Sequence, residues 1–207
     1  MSWFFRNWTT VAYALWEHIA ISLTALTIAF VLSLGIGIVA ARREPLYSAV
    51  MTLSGILYTI PTLAFLAFLI PLVGLGRTNA IITMVAFSLM ILIRSVATGI
   101  REVPADVIDA ARGMGLSAAQ IMRRIELPLA LPLIVAGLRV SAVTVISVTV
   151  VAAYVNAGGL GTLIFSGIAT DHPAKIWAGA LTVCLLSVAV DLALALTERR
   201  LKRQRAT

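Results

Sequence analysis

The side chains that could do chemistry gather in one place. From 109 to 128 the chain reads DAARGMGLSAAQIMRRIELP, which places Asp109, Arg112, Arg123, Arg124 and Glu126 in the longest polar interruption between apolar stretches. These groups suit ionic docking to a partner rather than bond making. No stretch matches the GxxxxGK[ST] pattern of a phosphate-binding loop, so nucleotide chemistry is not written into this chain. An enzyme embedded in a membrane needs paired acids, a Ser/His dyad or a metal cluster. No apolar stretch carries two acids, and His18 and His172 flank the outer surface as isolated residues without a ligand set. No catalytic residue and no metal site is assigned.

The local physics of the polar segment predicts two short helices. Pro104 suits a first helical turn, where its missing N–H costs nothing, and Asp106 sits where a helix N-terminus favours negative charge. Asp106, Asp109 and Arg112 follow one another at i, i+3 and i+6, with Val103, Val107, Ala110 and Met114 on another face. Gly113 and Gly115 bracket Met114, and both can take the positive φ that ends a helix. Ser117 and Gln120 have capping-box spacing, so a second helix begins there and carries Arg123 and Arg124. Two helices thus meet at a glycine elbow. Such an amphipathic hairpin is either a docking surface for a partner or a segment that lies on the membrane surface.

The elements around this segment read as membrane. Of 207 residues 60% are hydrophobic and 12% charged, with a mean hydropathy of +1.02, outside the range of soluble domains. The net charge of +7 does not point to nucleic acid, because no stacking aromatics accompany the basic residues. Cys184 is the single cysteine and forms no internal disulfide; the opening MSWFFRNWTT carries no small-residue cleavage site and reads as no removable signal.

A hydrocarbon core of about 30 Å needs about 20 helical residues. On that rule the chain is all-α, a single membrane domain over 1–207 with five spans, at about 19–41, 46–71, 78–100, 131–155 and 176–197. The second contains Pro61 and Pro71 and is expected to be kinked or broken; the third carries Arg94 towards the headgroups; the fourth begins near Leu131. The polar segment 101–128 joins spans three and four. Between spans four and five, Asn156, Gly158, Gly159 and Gly161 break the helix, and TLIFSGI is expected as a short helix dipping back. Asp191, an acid inside span five, is expected to pair with Arg94 or Arg139.

Lys and Arg set the orientation. Arg42, Arg43, Arg94, Arg101, Arg112, Arg123, Arg124, Arg139, Arg199, Arg200, Lys202, Arg203 and Arg205 fall on the side of the polar segment, against Arg6, Arg77 and Lys175 opposite. The positive-inside bias then puts the N-terminus outside and the C-terminus inside, the basic tail anchoring to anionic lipid.

The polar segment resembles the EAA signature of binding-protein-dependent ABC importer permeases: Glu-Ala-Ala, three residues, Gly, nine residues, Ile, one residue, Leu-Pro. Asp109, Ala110, Ala111, Gly115, Ile125, Leu127 and Pro128 hold those positions with the spacing intact, Asp109 standing for Glu. The runs YTIPTLAFLAFLIPLVGLGRTNAII, ATGIREVPADVIDAARGMG, ELPLALPLIVAGLRV and NAGGLGTLIFSGI resemble the osmoprotectant group of these permeases. The run LMILIRSVATGI departs from that group, which has a proline before a leucine-arginine pair and an asparagine after it.

That resemblance implies a permease subunit in a bacterial cytoplasmic membrane that catalyses nothing itself. It implies a cytoplasmic ATPase partner that binds ATP and Mg, an extracytoplasmic substrate-binding protein, and a second permease copy completing the pathway. Asp106, Asp109, Ala110, Ala111, Gly113, Gly115 and Leu116 would belong to the surface that couples to the ATPase, with Ile125, Leu127 and Pro128 supporting it. Glycine betaine, choline or carnitine would be the cargo; the same architecture could import an amino acid such as methionine or another small polar solute.

For the pathway itself, small hydroxyls and aromatic rings are the candidates. Tyr58, Thr59 and Thr62 surround Pro61, and Ser141, Thr144 and Ser147 recur every third residue. A quaternary ammonium is attracted to aromatic faces, which adds Phe65, Phe68 and Tyr154. Each of these types also serves packing or back-bonding to its own helix.

Overall fold

A computed structural model describes residues 2–203, and all regular structure there is helical. Arg205 of the basic tail lies outside the described residues. A short α1 (Ser2–Arg6) leads into α2 (Trp8–Arg42), whose 35 residues begin well before the expected position 19. Counting only uncharged residues made Glu17 look like a boundary. In the fold Glu17 is ion-paired with Arg77, and the helix runs on through exposed Trp16, Tyr13 and Trp8, the amphipathic aromatics of a membrane interface.

The proline-containing stretch is broken, not merely kinked. α3 (Glu44–Thr59) and α4 (Thr62–Val73) meet at 99°. Proline at 61 excludes helical geometry at the residue before it, and Ile60 is extended with ψ 127°. Next, α5 (Arg77–Arg101) matches the expected third span within a residue at each end.

α6 (Ala105–Gly113) and α7 (Ala118–Ile121) form the elbow, and here one expectation fails. Rather than ending before a separate span at Leu131, α7 passes through a π-helical turn, Met122–Glu126, into α8 (Leu127–Val151), one helical run over Ala118–Val155. A proline normally interrupts the backbone ladder because it offers no N–H. Here the Leu127 amide, just before Pro128, reaches back five residues to the Met122 carbonyl, so the turn ahead of the proline is widened and the helix continues past it. A short apolar α9 (Leu160–Ala169) and the long α10 (Pro173–Arg203) complete the order. Among the described residues four helices are long and apolar enough to cross a membrane, or five if the bent α3–α4 pair makes one crossing.

α2, α5 and α8 form the centre. Ile21, Ala25, Met84, Ala80, Val145 and Ala152 make one buried cluster with Leu66 of α4. Small residues let backbones approach, as membrane helix packing requires: Gly99 lies against Ala130, and Gly137 against Ser95, so the two helices flanking the elbow are closely seated. Outside this centre, α10 exposes Leu181, Leu185, Val188, Leu192 and Leu196 along one stripe, a surface suited to hydrocarbon. Of the two partners expected for Asp191, Arg139 is the one the fold supplies, and Arg94 is exposed elsewhere on α5.

Candidate functional site

The elbow is built by chemistry confined to a few residues. Asp106 lies in the first turn of α6 and Arg112 in its last, each complementing the helix dipole. Pro104 stands one position earlier than expected, at the N-cap with extended geometry, and Ala105 opens the helix. Asp109 and Arg112 form an exposed ion pair at 3.2 Å, one turn apart. The two glycines differ: Gly113 is the last helical residue, and only Gly115, at φ +81°, takes the left-handed conformation that turns the chain. Its amide donates to the Arg112 carbonyl, and the Leu116 amide to that of Ala111, which closes α6. Ser117 and Gln120 form the expected reciprocal capping box.

The alanine pair divides its work. Ala111 is fully buried against the chain itself, whereas Ala110 is exposed. Along with Asp106, Asp109, Gly113, Met114 and Gly115 it is exposed on the elbow, where Val107 and Arg112 are exposed as well. Leu116 and Ile125 are half-buried, and Leu127 packs on the Val96, Ile100, Ala130 and Ile134 cluster, where it anchors the start of α8.

Glu126, legible in the sequence only as one charge of the polar segment, is the most buried acid there. Its side chain is 3% exposed and accepts from Arg42 Nη2 at 2.5 Å. At the other end of the segment Arg101 donates to the carbonyls of Ala40 and Ala41, at 2.9 and 3.1 Å, pairs with Glu44 and stacks over the Tyr47 ring.

The hydroxyl stripe does not hold together. Ser141 is fully buried, Thr144 half-buried and Ser147 exposed. Three-residue steps rotate about 300° each, so positions six apart differ by about 120° and cannot share a face. Thr144 and Ser147 donate to Val140 and Val143 of their own helix, while Tyr154, exposed on the same side of the helix as Ser147, packs edge-on against Phe165. Around the α3–α4 break, Tyr58 and Thr59 are exposed, and Phe65 is packed against Phe87; Phe68 is exposed.

At the opposite end of the bundle, His18 is not a surface residue. It is fully buried, its Nε2 donating to the Ile146 carbonyl at 3.1 Å while Nδ1 accepts from the Leu160 amide at 3.3 Å. Neighbouring Glu17 accepts from Arg77 and from the Gly159 amide. Both side chains therefore hold the first turn of α9.

Residues 33–203 match the family described as binding-protein-dependent transport system inner membrane component. The chain belongs to this family. It is 36% identical over 195 residues to the choline transport system permease protein OpuBB of Bacillus subtilis (strain 168), covering 94% of this chain and 90% of that one. To the glycine betaine/carnitine/choline transport system permease protein OpuCB of the same organism it is 34% identical, covering 97% and 92%. In fold it resembles a chain of the inward-facing MetNI methionine ABC transporter, with a TM-score of 0.83, 24% identity, and coverage of 92% and 95%. The permease is thus a membrane subunit and not an enzyme, and hydrolysis of ATP belongs to a separate subunit.

Proposed function

We propose that this permease imports a quaternary-amine osmoprotectant such as glycine betaine, choline or carnitine, handed to it by an extracytoplasmic binding protein. The observation that carries the reading is the match along nearly the whole chain to permeases named for those three solutes. Likeness to a methionine transporter is one of fold, at lower identity, and leaves an amino acid as the second reading.

In this reading the chain is one domain with five crossings, the bent α3–α4 pair counting as one. The N-terminus lies outside, and the end rich in Arg and Lys faces the cytoplasm. α6 is the coupling helix. Asp106, Asp109, Ala110, Gly113 and Gly115 present the face that seats in the ATPase, and Ala111 and Leu116 hold that helix to the bundle. Ile125, Leu127 and Pro128 fasten it to α8. ATP and Mg are bound by the partner, whose closure moves the elbow together with the closely seated α5 and α8 as one body. A second permease copy completes the pathway. On this chain Thr144 and Ser147 of α8 and Tyr154 in the turn just beyond it face it, with Tyr58 and Thr59 at the helix break; buried Ser141 supports the helix from behind.

Uptake measurements in cells lacking other osmoprotectant importers test the reading. Cells expressing the permease with its ATPase and binding protein should accumulate labelled betaine, choline or carnitine under salt stress. Accumulation of methionine and of none of the three would replace the cargo assignment.

A further inference from the structure

We infer that α2 is the mechanical link by which movement of the elbow reaches α9, with Glu126 and Arg101 as positioning residues at one end and Glu17 and His18 at the other. This inference rests on the permease reading. At the elbow, both flanks of the polar segment grip the same three residues of α2. Arg101, which precedes the segment, holds the Ala40 and Ala41 carbonyls, and Glu126, which ends it, holds Arg42. Ala40 is fully buried and Glu126 is 2% exposed, so this grip is not a loose surface contact.

At the far end, α2 holds α9 by its backbone. Glu17 Oε2 accepts from the Gly159 amide and His18 Nδ1 from the Leu160 amide, both at 3.3 Å. These are the amides at which α9 begins, where a helix has no donors' partners of its own. Arg77 pairs with Glu17, and the Ile146 carbonyl fixes the other ring nitrogen of His18.

Between the two grips α2 is a single uninterrupted helix without proline, about 36 Å from Glu17 to the Ala41 region at 1.5 Å per residue. The covalent route through α8 is less direct than it looks. α8 runs on through a 3-10 turn, Ala152–Val155, and the chain then bends at Asn156, Gly158 and Gly159, all at positive φ, so α9 does not continue the α8 axis. α2 thus fixes the first turn of α9, beside the packing of α9 on α10 and on the end of α8, and α2 is itself gripped at its far end by both flanks of the elbow.

The test uses the assembled transporter with its ATPase subunit in proteoliposomes. Cys184→Ser removes the native thiol, and Ile168→Cys places a reporter on the exposed side of α9. Labelling by a membrane-impermeant maleimide is compared without nucleotide and in the ATP-vanadate trapped state. The parent should show a nucleotide-dependent change in labelling rate. Glu126→Gln should reduce that change about fivefold or more while ATP hydrolysis continues, and the exchange Arg42→Glu with Glu126→Arg should restore part of it. If Glu126→Gln does not assemble, Arg101→Gln is read by the same criterion. A parent that transports but shows no nucleotide-dependent labelling, or a variant that keeps the parent's change, overturns the inference alone. A parent without ATP-driven uptake overturns the permease reading and the inference with it.

Discussion

Arg139 of α8 holds Asp191 of α10 through two contacts, Nη2 meeting Oδ2 at 2.9 Å and Nε meeting Oδ1, while Glu198 lies 3.8 Å from the same guanidinium. The pair joins the central helix to the outermost one within a surface that otherwise exposes apolar side chains. A guanidinium beside hydrocarbon that loses its two-point carboxylate contact is left with the single, longer approach to Glu198, a weaker arrangement. Asp191→Asn should therefore lower the yield of assembled permease in detergent, as followed by size-exclusion chromatography. The exchange Arg139→Asp with Asp191→Arg should recover it. Equal yields for Asp191→Asn and the parent would show that the pair does not hold α10 in place.

Asp109 allows stability and coupling to be separated. Among the described residues it pairs with Arg112, one turn away and likewise exposed, a type of pair that adds little to folding. Asp109→Ala should leave thermal unfolding within a degree or two of the parent, yet lower ATP-driven uptake about tenfold or more through the weakened contact with the ATPase. Asp109→Glu, which restores the residue of the family signature, should retain uptake. A loss of thermal stability matching the loss of transport would assign Asp109 a folding role.

His18 is a case where burial decides the outcome. Replacing it by Ala leaves the Leu160 amide unpaired in the interior, at about 1–3 kcal/mol, and removes the second donor of the Ile146 carbonyl, which keeps its bond within α8. His18→Ala should lower the midpoint of thermal unfolding in detergent, measured by tryptophan fluorescence, and should also raise protease cleavage around 156–159, where α9 loses its hold. His172, half-buried beside Trp3, should tolerate Ala with a smaller shift. Similar shifts for the two would remove the special place given to His18.

These residues also mark what the sequence could and could not tell. The elbow was legible because caps are local: Ser117 with Gln120 and the turn at Gly115 depend on residues within four positions. The Asp191 partnership could be narrowed to two arginines because a charge inside an apolar helix must find an opposite charge at similar depth. The burial and the partners of His18 and Glu126 were missed for the converse reason. Their partners lie 128 and 84 positions away, and no local pattern separates an interior histidine or glutamate from a boundary one. The same blindness set the start of α2 too late, since Glu17 looks like the end of a span until Arg77 and Gly159 are brought to it.

Gly161 was read as a turn former, and its neighbours give it a different duty. It sits in the first turn of α9 without positive φ, and a Cβ there would fall 2.1 Å from the Val150 carbonyl oxygen, a backbone atom that cannot swing aside. Gly161→Ala must push α9 off the end of α8, an overpacking penalty of about 1–3 kcal/mol or more. Gly35, mid-helix in α2 with open space where a Cβ would go, makes the matched control, because Gly→Ala in a helix interior favours the helix by roughly 0.8–1.0 kcal/mol. Thermal unfolding should fall for Gly161→Ala and hold or rise for Gly35→Ala. If both substitutions were tolerated alike, α9 would have room to move away from α8 at no cost, and the close approach would not be what keeps it there.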